Sequence, residues 1–362
     1  MEYRRLGITG TAVSRLALGT MDFGSETPPD QAFEVLDGFL DAGGNLLDTS
    51  NVYNGGLAEE IIGLWLASRP REVTDRVVLA TKGRFGPSSP DINGLGLSRR
   101  SLTRALDASL RRLGVESVDL YQLHAFDPLT PVAETLSFLD AAVRAGKVHY
   151  IGLSNFTGWQ LQLMVSTARA IGAQVPVTLQ QQYSLLSRES EWEMVPAAVH
   201  NGIGLLPWSP LAGGFLTGKY QRGGTAAGGT RAGSDNPLYQ WVSEEYAASD
   251  RNWATIDAVV TIAAEMGATP AQVALSWLAD RSGVTAPIFG ARNVAQLTEN
   301  LGAADLHLDA AATATLDAIS APQSGGYPYG PFGTAQRDRG LDGSSQGIAD
   351  LVASGSDAPL GR

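Results

Sequence analysis

Short apolar runs recur along the chain and predict strands. Most of them are apolar at nearly every position, which is typical of strands buried on both faces of a parallel sheet. Eight such runs are present, at residues 16–18, 46–48, 77–81, 120–124, 150–153, 177–180, 204–208 and 286–289. The pattern therefore predicts a sheet of eight buried strands.

Segments with helical spacing separate most of these strands. Leucines recur every three or four residues over 102–113, and Gly114 follows as a stop. Apolar residues have the same spacing over 132–143, where Thr130 and Pro131 predict an N-cap and a first-turn proline. Residues 269–272, Thr-Pro-Ala-Gln, predict a capping box at the start of a later helix.

The alternation of strands and helices favours a parallel α/β fold. Eight such units without an obvious break predict a (β/α)8 TIM barrel, formed as a single domain by residues 1–320. An open, doubly wound sheet is the alternative. Its glycine-rich fingerprint is missing after the first strand, where residues 19–23 read GTMDF, so the barrel is preferred.

Two stretches break the alternation. Residues 221–250 follow the seventh strand and contain the glycine-rich segment QRGGTAAGGTRAGSDNP, which predicts a long loop insertion at the top of the barrel. This insertion is either a surface loop or a lid over the site. Residues 321–362 form a tail that we expect to be partly disordered, and its SGGYPYGPF segment fits neither a helix nor a strand.

Composition narrows the class of protein. The 362 residues are 44% hydrophobic, and 26 Lys and Arg against 37 Asp and Glu give a net charge of −11. An acidic chain without a basic run disfavours nucleic-acid and membrane partners. The absence of cysteine excludes disulfides, thiolate nucleophiles and thiolate zinc sites. Because the start lacks a signal-peptide pattern and no long apolar run exists, we expect a cytoplasmic protein.

Four polar residues follow strands two, three and four, where a barrel places its active site. Asp48 ends the second strand and Tyr53 lies just beyond it, Lys82 ends the third, and His124 ends the fourth. Each residue taken alone has a structural explanation, such as capping a loop. Together on neighbouring strands they predict a catalytic group, because an unpaired buried charge costs several kcal/mol, roughly.

This set of side chains suits the reduction of a carbonyl group. A phenol has a pKa of about 10, and a nearby ammonium, itself balanced by a carboxylate, favours the phenolate and lowers that pKa. The phenol can then act as a proton donor and acceptor, while a histidine donates a hydrogen bond to the carbonyl oxygen. Because no side chain delivers hydride, a nicotinamide cofactor is implied.

Other chemistries fit the sequence less well. The four histidines have no ligand spacing, so we expect no metal site. Residues 213–219 match G-x-x-x-x-G-K, but Tyr220 stands where a phosphate-binding loop has Ser or Thr to hold magnesium.

The later strand ends suit a dinucleotide. Amide and hydroxyl groups of Ser154, Asn155 and Gln180 could hold a carboxamide, and Trp208 could stack on a nicotinamide. Residues 209–214 form a glycine-rich turn for a pyrophosphate. After the eighth strand, Arg292 precedes a predicted helix N-terminus, which favours the 2′-phosphate of NADP. The alternative for Trp208 is a packing role in the barrel, and the alternative for Arg292 is a plain surface cation.

These segments resemble the aldo-keto reductase family. The matching segments cover roughly residues 1–320: GTMDFG (19–24), DTSNVYNGGLAEE (48–60), ATKG (80–83), DLYQLH (119–124), AGKVHYIGLSNF (145–156), QQQYSLLSR (180–188), WSPLAGGFLTGKY (208–220) and PIFGARNVAQLTEN (287–300). The resemblance implies a (β/α)8 barrel and NADP(H)-dependent interconversion of carbonyls and alcohols. It implies that Tyr53 is the acid/base, that Asp48 and Lys82 support it, and that His124 orients the carbonyl.

The resemblance also implies a binding site for NADPH or NADP+. Its residues are Gly19, Thr20, Met21, Ser154, Asn155, Gln180, Trp208, Ser209, Pro210, Leu211, Gly213, Lys219, Gly290, Ala291, Arg292, Gln296, Glu299 and Asn300. The expected substrate is a small aldehyde or ketone. The family also includes channel-associated subunits, so a regulatory cofactor-binding subunit is the alternative function.

The chain departs from the family pattern in places. Members often have Tyr at the position of Trp208, and an acidic residue is common where Gln182 stands. The 221–250 insertion and the tail match no family motif. We expect substrate choice to lie there and at Phe23, Phe85, Phe126 and Trp241.

Overall fold

The computed structural model describes residues 1–86, 91–224, 230, 232–233 and 237–337. Two compact units are present, Met1–Ser320 and Ala321–Arg362. The strands are β1 Tyr3–Arg5, β2 Ala12–Ser14, β3 Ala17–Gly19, β4 Leu46–Asp48, β5 Val78–Gly83, β6 Val118–Leu123, β7 Val148–Ser154, β8 Thr178–Gln180, β9 Gly204–Leu205 and β10 Ile288–Gly290. The helices are α1 Pro29–Asp41, α2 Leu57–Ser68, α3 Arg71–Thr74, α4 Arg99–Leu113, α5 Val132–Arg144, α6 Gly158–Ile171, α7 Met194–His200, α8 Pro237–Ala247, α9 Asp250–Met266, α10 Pro270–Ala279, α11 Val294–Leu301, α12 Ala310–Ile319 and α13 Pro331–Ala335.

Strands β3 to β10 form one parallel sheet of eight strands within the described residues, in the order β10-β3-β4-β5-β6-β7-β8-β9. A parallel bridge between Trp208, beyond β9, and Ile288 of β10 joins the two ends of this sheet. The curled sheet with its interleaved helices is a (β/α)8 fold, as predicted. All eight predicted strands are present, with ends shifted by a few residues.

The predicted helix signals are correct at two of three positions. Helix α4 ends at Gly114, whose φ of 66° is the left-handed conformation that suits glycine. Thr269 and Gln272 form the predicted capping box of α10. The N-cap prediction for α5 is wrong, because the helix starts one residue later with Pro131 as the cap, and Thr130 donates its hydroxyl to Asp127 instead.

The core has two layers. One hydrophobic cluster lies between the sheet and the helices, and a smaller one lies inside the sheet. Leu6 and Val13 belong to the inner cluster and come from the antiparallel β1–β2 hairpin, which the apolar pattern did not predict. The hairpin reaches the amino-terminal ends of strands, since the Cα of Gly7 lies against the carbonyl of Val177 and against Gly204. The carboxyl-terminal ends of the strands are therefore the place for a site.

Residues 221–250 are not a loop throughout, because α8 occupies much of their second half. The glycine-rich part falls largely on 225–229, 231 and 234–236, which lie outside the described residues. In the second unit, the prediction that the SGGYPYGPF segment contains no helix is wrong. Pro331 and Phe332 begin α13, where a first-turn proline loses no hydrogen bond. The end of the tail, SGSDAPLGR (354–362), for which disorder is expected, also lies outside the described residues.

Among the described residues, no single helix is long and apolar enough to span a membrane. Helices α9 and α10, which meet at a bend of 100°, reach that length and hydropathy only when they are taken together.

Candidate active site

The four predicted catalytic residues meet at the carboxyl ends of β4, β5 and β6. Lys82 is fully buried, and its Nζ donates hydrogen bonds to Asp48 Oδ1 at 2.5 Å and to the Tyr53 hydroxyl at 3.1 Å. A third bond from Nζ goes to the carbonyl of Thr49 at 2.8 Å. All three N–H groups of the ammonium are thus satisfied, so its position is fixed.

Two glutamines complete the surroundings of Asp48, which is itself buried. The side-chain amides of Gln122 and Gln180 both donate to Asp48 Oδ2, at 2.9 and 2.8 Å. The sequence analysis missed Gln122. Gln122 lies on β6, two residues before His124, which directly follows that strand. Because side chains two residues apart on a strand share a face, the alternation along β6 predicts that Gln122 faces the site.

Burial and charge act in opposite directions on the lysine and the tyrosine. Burial raises the pKa of Tyr53 and outweighs the lowering by the charge of Lys82. Burial alone would lower the pKa of Lys82, but the charge of Asp48 and the bonds to Asp48 and Tyr53 raise it. The expected effect of the ammonium on the phenol is therefore present but smaller than that of burial. In this state the tyrosine keeps its proton and the lysine its charge.

His124 lies beside Tyr53, with ring centroids 6.1 Å apart. Its Nδ1 is 3.1 Å from the hydroxyl of Ser50, and that hydroxyl is 3.5 Å from Oδ1 of Asn51, the other side-chain acceptor it has among the described residues. The shorter contact favours donation by Ser50 to Nδ1, so Nε2 carries the hydrogen of the neutral ring. Burial, with smaller contributions from Lys82 and Arg84, lowers the pKa of His124 to about 3. The ring is therefore a neutral hydrogen-bond donor.

The turn that follows Tyr53 fixes its backbone. Asn54 adopts a φ of 51° and Gly55 a φ of 70°, both in the left-handed region. The side-chain amide of Asn54 donates hydrogen bonds to the backbone carbonyls of Met21 at 2.9 Å and Phe23 at 2.7 Å. The loop after β3 and the turn that carries the tyrosine are thereby joined.

A cavity of about 1310 Å³ opens above these residues, larger than the ~300–1,000 Å³ of an ordinary small-molecule pocket. Asp48, Tyr53 and His124 line it, while Lys82 lies buried beneath. Almost all of the predicted cofactor residues line it too: Gly19, Thr20, Met21, Ser154, Asn155, Gln180, Trp208, Ser209, Pro210, Leu211, Gly213, Lys219, Gly290, Arg292, Gln296, Glu299 and Asn300. Ala291 is the exception, because its side chain is buried in the core between strand and helix.

Asn155 links three parts of the cavity near His124. Its side-chain oxygen accepts a hydrogen bond from the indole of Trp208 at 3.1 Å, and its nitrogen donates to the His124 carbonyl at 2.9 Å. The amide nitrogen of Gln180 is likewise engaged, on Asp48. In this structure these two amides therefore hold Trp208 and the carboxylate of Asp48 in place.

The loop after β9 contains a series of left-handed residues. Ser209, Ala212, Gly213 and Gly214 have φ values of 55°, 48°, 65° and 95°. Within this turn the backbone N–H groups of Ala212 and Gly214 donate to the carbonyls of Ser209 and Leu211, both at 2.9 Å. The Nζ of Lys219 lies against this turn, since a Cβ added at Gly214 would be 2.6 Å from it. A cation therefore lies beside this turn, at the position predicted for a pyrophosphate.

The far end of the cavity is formed by the start of α11. Asn293 caps this helix through a bond from the Gln296 backbone N–H, and Gln296 in turn accepts from the backbone N–H of Arg292 at 3.0 Å. The Arg292 side chain lies against two carboxylates. It forms an ion pair with Glu26, and its Nε is 3.9 Å from Oδ2 of Asp22. Neither acidic residue was singled out from the sequence.

The residues expected to choose the substrate behave differently from one another. Phe23 is fully buried, so its assignment to the substrate site is wrong. Phe85 packs against the His124 ring at 5.0 Å, whereas Phe126 packs against Phe156 and Trp159. Trp241 of α8 lines the cavity and is 63% exposed. Further lining residues that the sequence analysis missed include Leu186, Glu189, Tyr246, Arg251 and Asn252.

Known proteins with similar sequences show the family of the chain. A model of the aldo/keto reductase family matches residues 15–321, which is most of the chain. The chain belongs to the aldo/keto reductase family. The uncharacterized oxidoreductase YrpG of Bacillus subtilis is 40% identical over 318 residues, which cover 85% of this chain and 93% of the relative.

Two further relatives differ in what their names say. An aldo-keto reductase of Fusarium vanettenii is 34% identical over 355 residues, 89% of this chain and 92% of the relative. A protein named as a probable voltage-gated potassium channel subunit beta, from Oryza sativa, is 34% identical over 308 residues, 84% and 92% of the two chains. The aldo/keto reductase family and the oxidoreductase relatives support oxidoreductase chemistry on a carbonyl group and the general use of a nicotinamide cofactor.

Proposed function

We propose that the protein is an NADPH-dependent reductase of aldehydes or ketones, with Tyr53 as the proton donor. The observation that carries this proposal is the hydrogen bond of 3.1 Å from the buried Lys82 ammonium to the Tyr53 hydroxyl, at the floor of the cavity. A half-buried tyrosine bonded to a fully buried lysine is costly to build for structural reasons alone. It is an arrangement suited to moving a proton.

The cavity fits a dinucleotide by the chemistry of its lining. Trp208 offers a flat ring near His124 for the nicotinamide, and the turn over 209–214 offers N–H groups for the pyrophosphate. Arg292 offers a guanidinium for the 2′-phosphate of NADPH. When bound, the reduced nicotinamide supplies a hydride to the carbonyl carbon.

The residues of the chain then control the carbonyl oxygen. The Nε2–H of His124 donates to this oxygen and orients the substrate, and the Tyr53 hydroxyl gives it a proton. Lys82 stays charged and stabilises the phenolate that remains, while Asp48 balances the lysine. Because burial raises the pKa of Tyr53, the tyrosine is protonated and ready to donate at neutral pH.

The substrate side of the cavity favours a ring-bearing carbonyl or a sugar. Trp241 and Tyr246 of α8 face the cavity, and aromatic faces pack well against flat or ring-shaped molecules. The hydroxyl of Tyr246 accepts a hydrogen bond from Gln182 at 2.7 Å, so a polar group is available beside the rings.

Steady-state oxidation of NADPH over a panel of aldehydes, ketones and sugars tests this function. We expect turnover with at least one class and a dissociation constant for NADPH below that for NADH. Replacing Arg292 by alanine should bring the two dissociation constants together. Binding of NADPH without turnover of any carbonyl would contradict the reductase function, and an unchanged ratio in the variant would contradict the role of Arg292.

The second candidate is a cofactor-loaded regulatory subunit with little turnover. It is favoured by the relative named as a potassium channel subunit beta. The same panel separates the two functions. A regulatory subunit would bind NADPH but would reduce no carbonyl of the panel faster than the Tyr53→Phe variant does.

A further inference from the structure

The adenosine end of the cavity contains an unexpected pair of acids. Arg292, with the N-terminus of α11, is the predicted site of the 2′-phosphate, and in the described structure its guanidinium already contacts Glu26 and Asp22. The side chain of Asp22 is 10% exposed, and those of Arg292 and Glu26 are 24% and 30% exposed. These charges are therefore partly shielded from water, and their interaction is stronger than that of a fully exposed pair.

Both acids approach the same edge of the guanidinium. Glu26 contacts Nη2 and Asp22 faces Nε, the two nitrogens that form one side of the planar fork. A phosphate binds arginine best through two parallel hydrogen bonds from such an edge. A 2′-phosphate at this site therefore competes directly with Glu26 for Arg292.

The loop that carries the two acids is held in place. The Asp22 carbonyl accepts the backbone N–H groups of Glu26 at 3.1 Å and Thr27 at 2.9 Å, which closes a tight turn. Asn54 fixes the residues on both sides of Asp22 through the carbonyls of Met21 and Phe23. Because the turn is braced at both ends, the carboxylates stay near the phosphate site when the guanidinium moves.

We propose that Glu26, supported by Asp22, is an internal counter-ion of Arg292 that weakens the binding of 2′-phosphorylated dinucleotides. The inference rests on the proposed function, in which the cavity binds NADPH. A phosphate monoester carries about −1.5 to −2 charges at pH 7. To bind Arg292 it must displace the carboxylate of Glu26, and it then remains close to the negative charges of both Glu26 and Asp22. NADH has no such group and meets neither barrier. The acids therefore limit the preference for NADPH that Arg292 provides.

The test is a thermodynamic cycle on the protein without catalysis. Dissociation constants of adenosine 2′,5′-bisphosphate, 5′-AMP, NADPH and NADH are measured by calorimetry for the wild type, Glu26→Gln, Arg292→Ala and the double variant. Glu34→Gln is the matched control, since Glu34 is an exposed acid of α1 and the variant loses the same charge. Melting temperatures establish that each variant is folded.

Glu26→Gln should bind the bisphosphate and NADPH about two- to fivefold more tightly, the effect of removing one partly exposed ion pair, and bind 5′-AMP and NADH as before. In the Arg292→Ala background the same change should have no more effect than Glu34→Gln. Three results would overturn the inference. Glu26→Gln and Glu34→Gln could change the binding of the bisphosphate equally, or Glu26→Gln could still tighten that binding in the Arg292→Ala background. Glu26→Gln could also bind NADH more weakly than the wild type does, which would make Glu26 a ligand of the ribose hydroxyls. If the wild type binds neither dinucleotide, the proposed function fails as well, so the two failures are distinguishable.

Discussion

Lys82 and Tyr53 are joined by a hydrogen bond of 3.1 Å, and the lysine nitrogen lies 4.9 Å from the centre of the tyrosine ring. The ammonium therefore acts on the hydroxyl and on the ring of the same residue. Burial raises the pKa of the phenol, and the ammonium lowers it in part. In the proposed reaction this balance would keep the proton on Tyr53 beforehand and stabilise the phenolate afterwards, which is what a proton donor needs.

Replacing Tyr53 by phenylalanine should reduce kcat for carbonyl reduction by about 10²–10⁴-fold, the usual contribution of a positioned proton donor. The ring still fills its place, so the dissociation constant of NADPH should stay within about twofold. Stopped-flow turnover and fluorescence titration measure the two quantities. A variant that keeps most of its turnover would refute the role of Tyr53 as proton donor.

Replacing Lys82 by methionine should destabilise the fold, because Asp48 is then left buried without its cation. We expect a loss of about 3–5 kcal/mol in the free energy of unfolding, measured by urea titration. Neutralising the carboxylate as well, in Asp48→Asn/Lys82→Met, should restore part of that loss. Lys147→Met is the matched control, since Lys147 forms a half-exposed ion pair with Asp107 and its loss should cost only about 0–1 kcal/mol. Equal losses in the two lysine variants would contradict the buried pair.

The sequence was sufficient to predict the barrel and the meeting of the four candidate catalytic residues. Strands buried on both faces leave a clear apolar pattern, and parallel strands bring their carboxyl ends to one rim, so Asp48, Lys82 and His124 could be placed together without coordinates. The short hairpin over residues 3–14 could not, because its strands are only three residues long and much of β1 is exposed to solvent.

The partners of the site were harder to predict. Ser50 and Gln122 each lie inside a segment quoted from the sequence, but their roles depend on which side chain of another strand they face. The contact of Glu26 with Arg292 joins opposite ends of the chain, which no local pattern records. The prediction that Phe23 contacts the substrate was wrong because an aromatic side chain near the rim of the barrel is as well suited to the core as to a substrate site.

The histidines should differ sharply in their titration. The pKa of His124 is lowered to about 3 by burial first and by the charges of Lys82 and Arg84 second, whereas hydrogen bonds to Asp280 and Glu2 raise the pKa of His307 above its usual 6.5. In an NMR titration His307 should change its charge above pH 6.5, and His124 should stay neutral down to about pH 4. A His124 resonance that titrates near pH 6 would contradict its burial as a neutral donor.

The same shift has a consequence for stability. Between pH 6.5 and 3 the unfolded chain binds a proton at His124 that the folded chain does not, so the free energy of unfolding falls as the pH is lowered through this window. In the His124→Gln variant no group at this position takes up a proton on unfolding, so this pH dependence is absent. The wild type should therefore lose stability relative to the variant between pH 7 and 4, as measured by urea unfolding at each pH. A difference that does not change with pH would contradict the lowered pKa.

Trp208 should affect the two dinucleotides equally, in contrast to Arg292. Its indole donates to Asn155, which in turn donates to the His124 carbonyl. The proposed nicotinamide lies at this end of the cavity and is the same in NADPH and NADH. Trp208→Ala should weaken both by about two- to tenfold and leave their ratio unchanged, because it removes only a stacking surface. Trp208→Phe keeps an aromatic face and should recover most of that loss. A change in the ratio would mean that the dinucleotide lies in the opposite direction, with its adenosine near the catalytic residues.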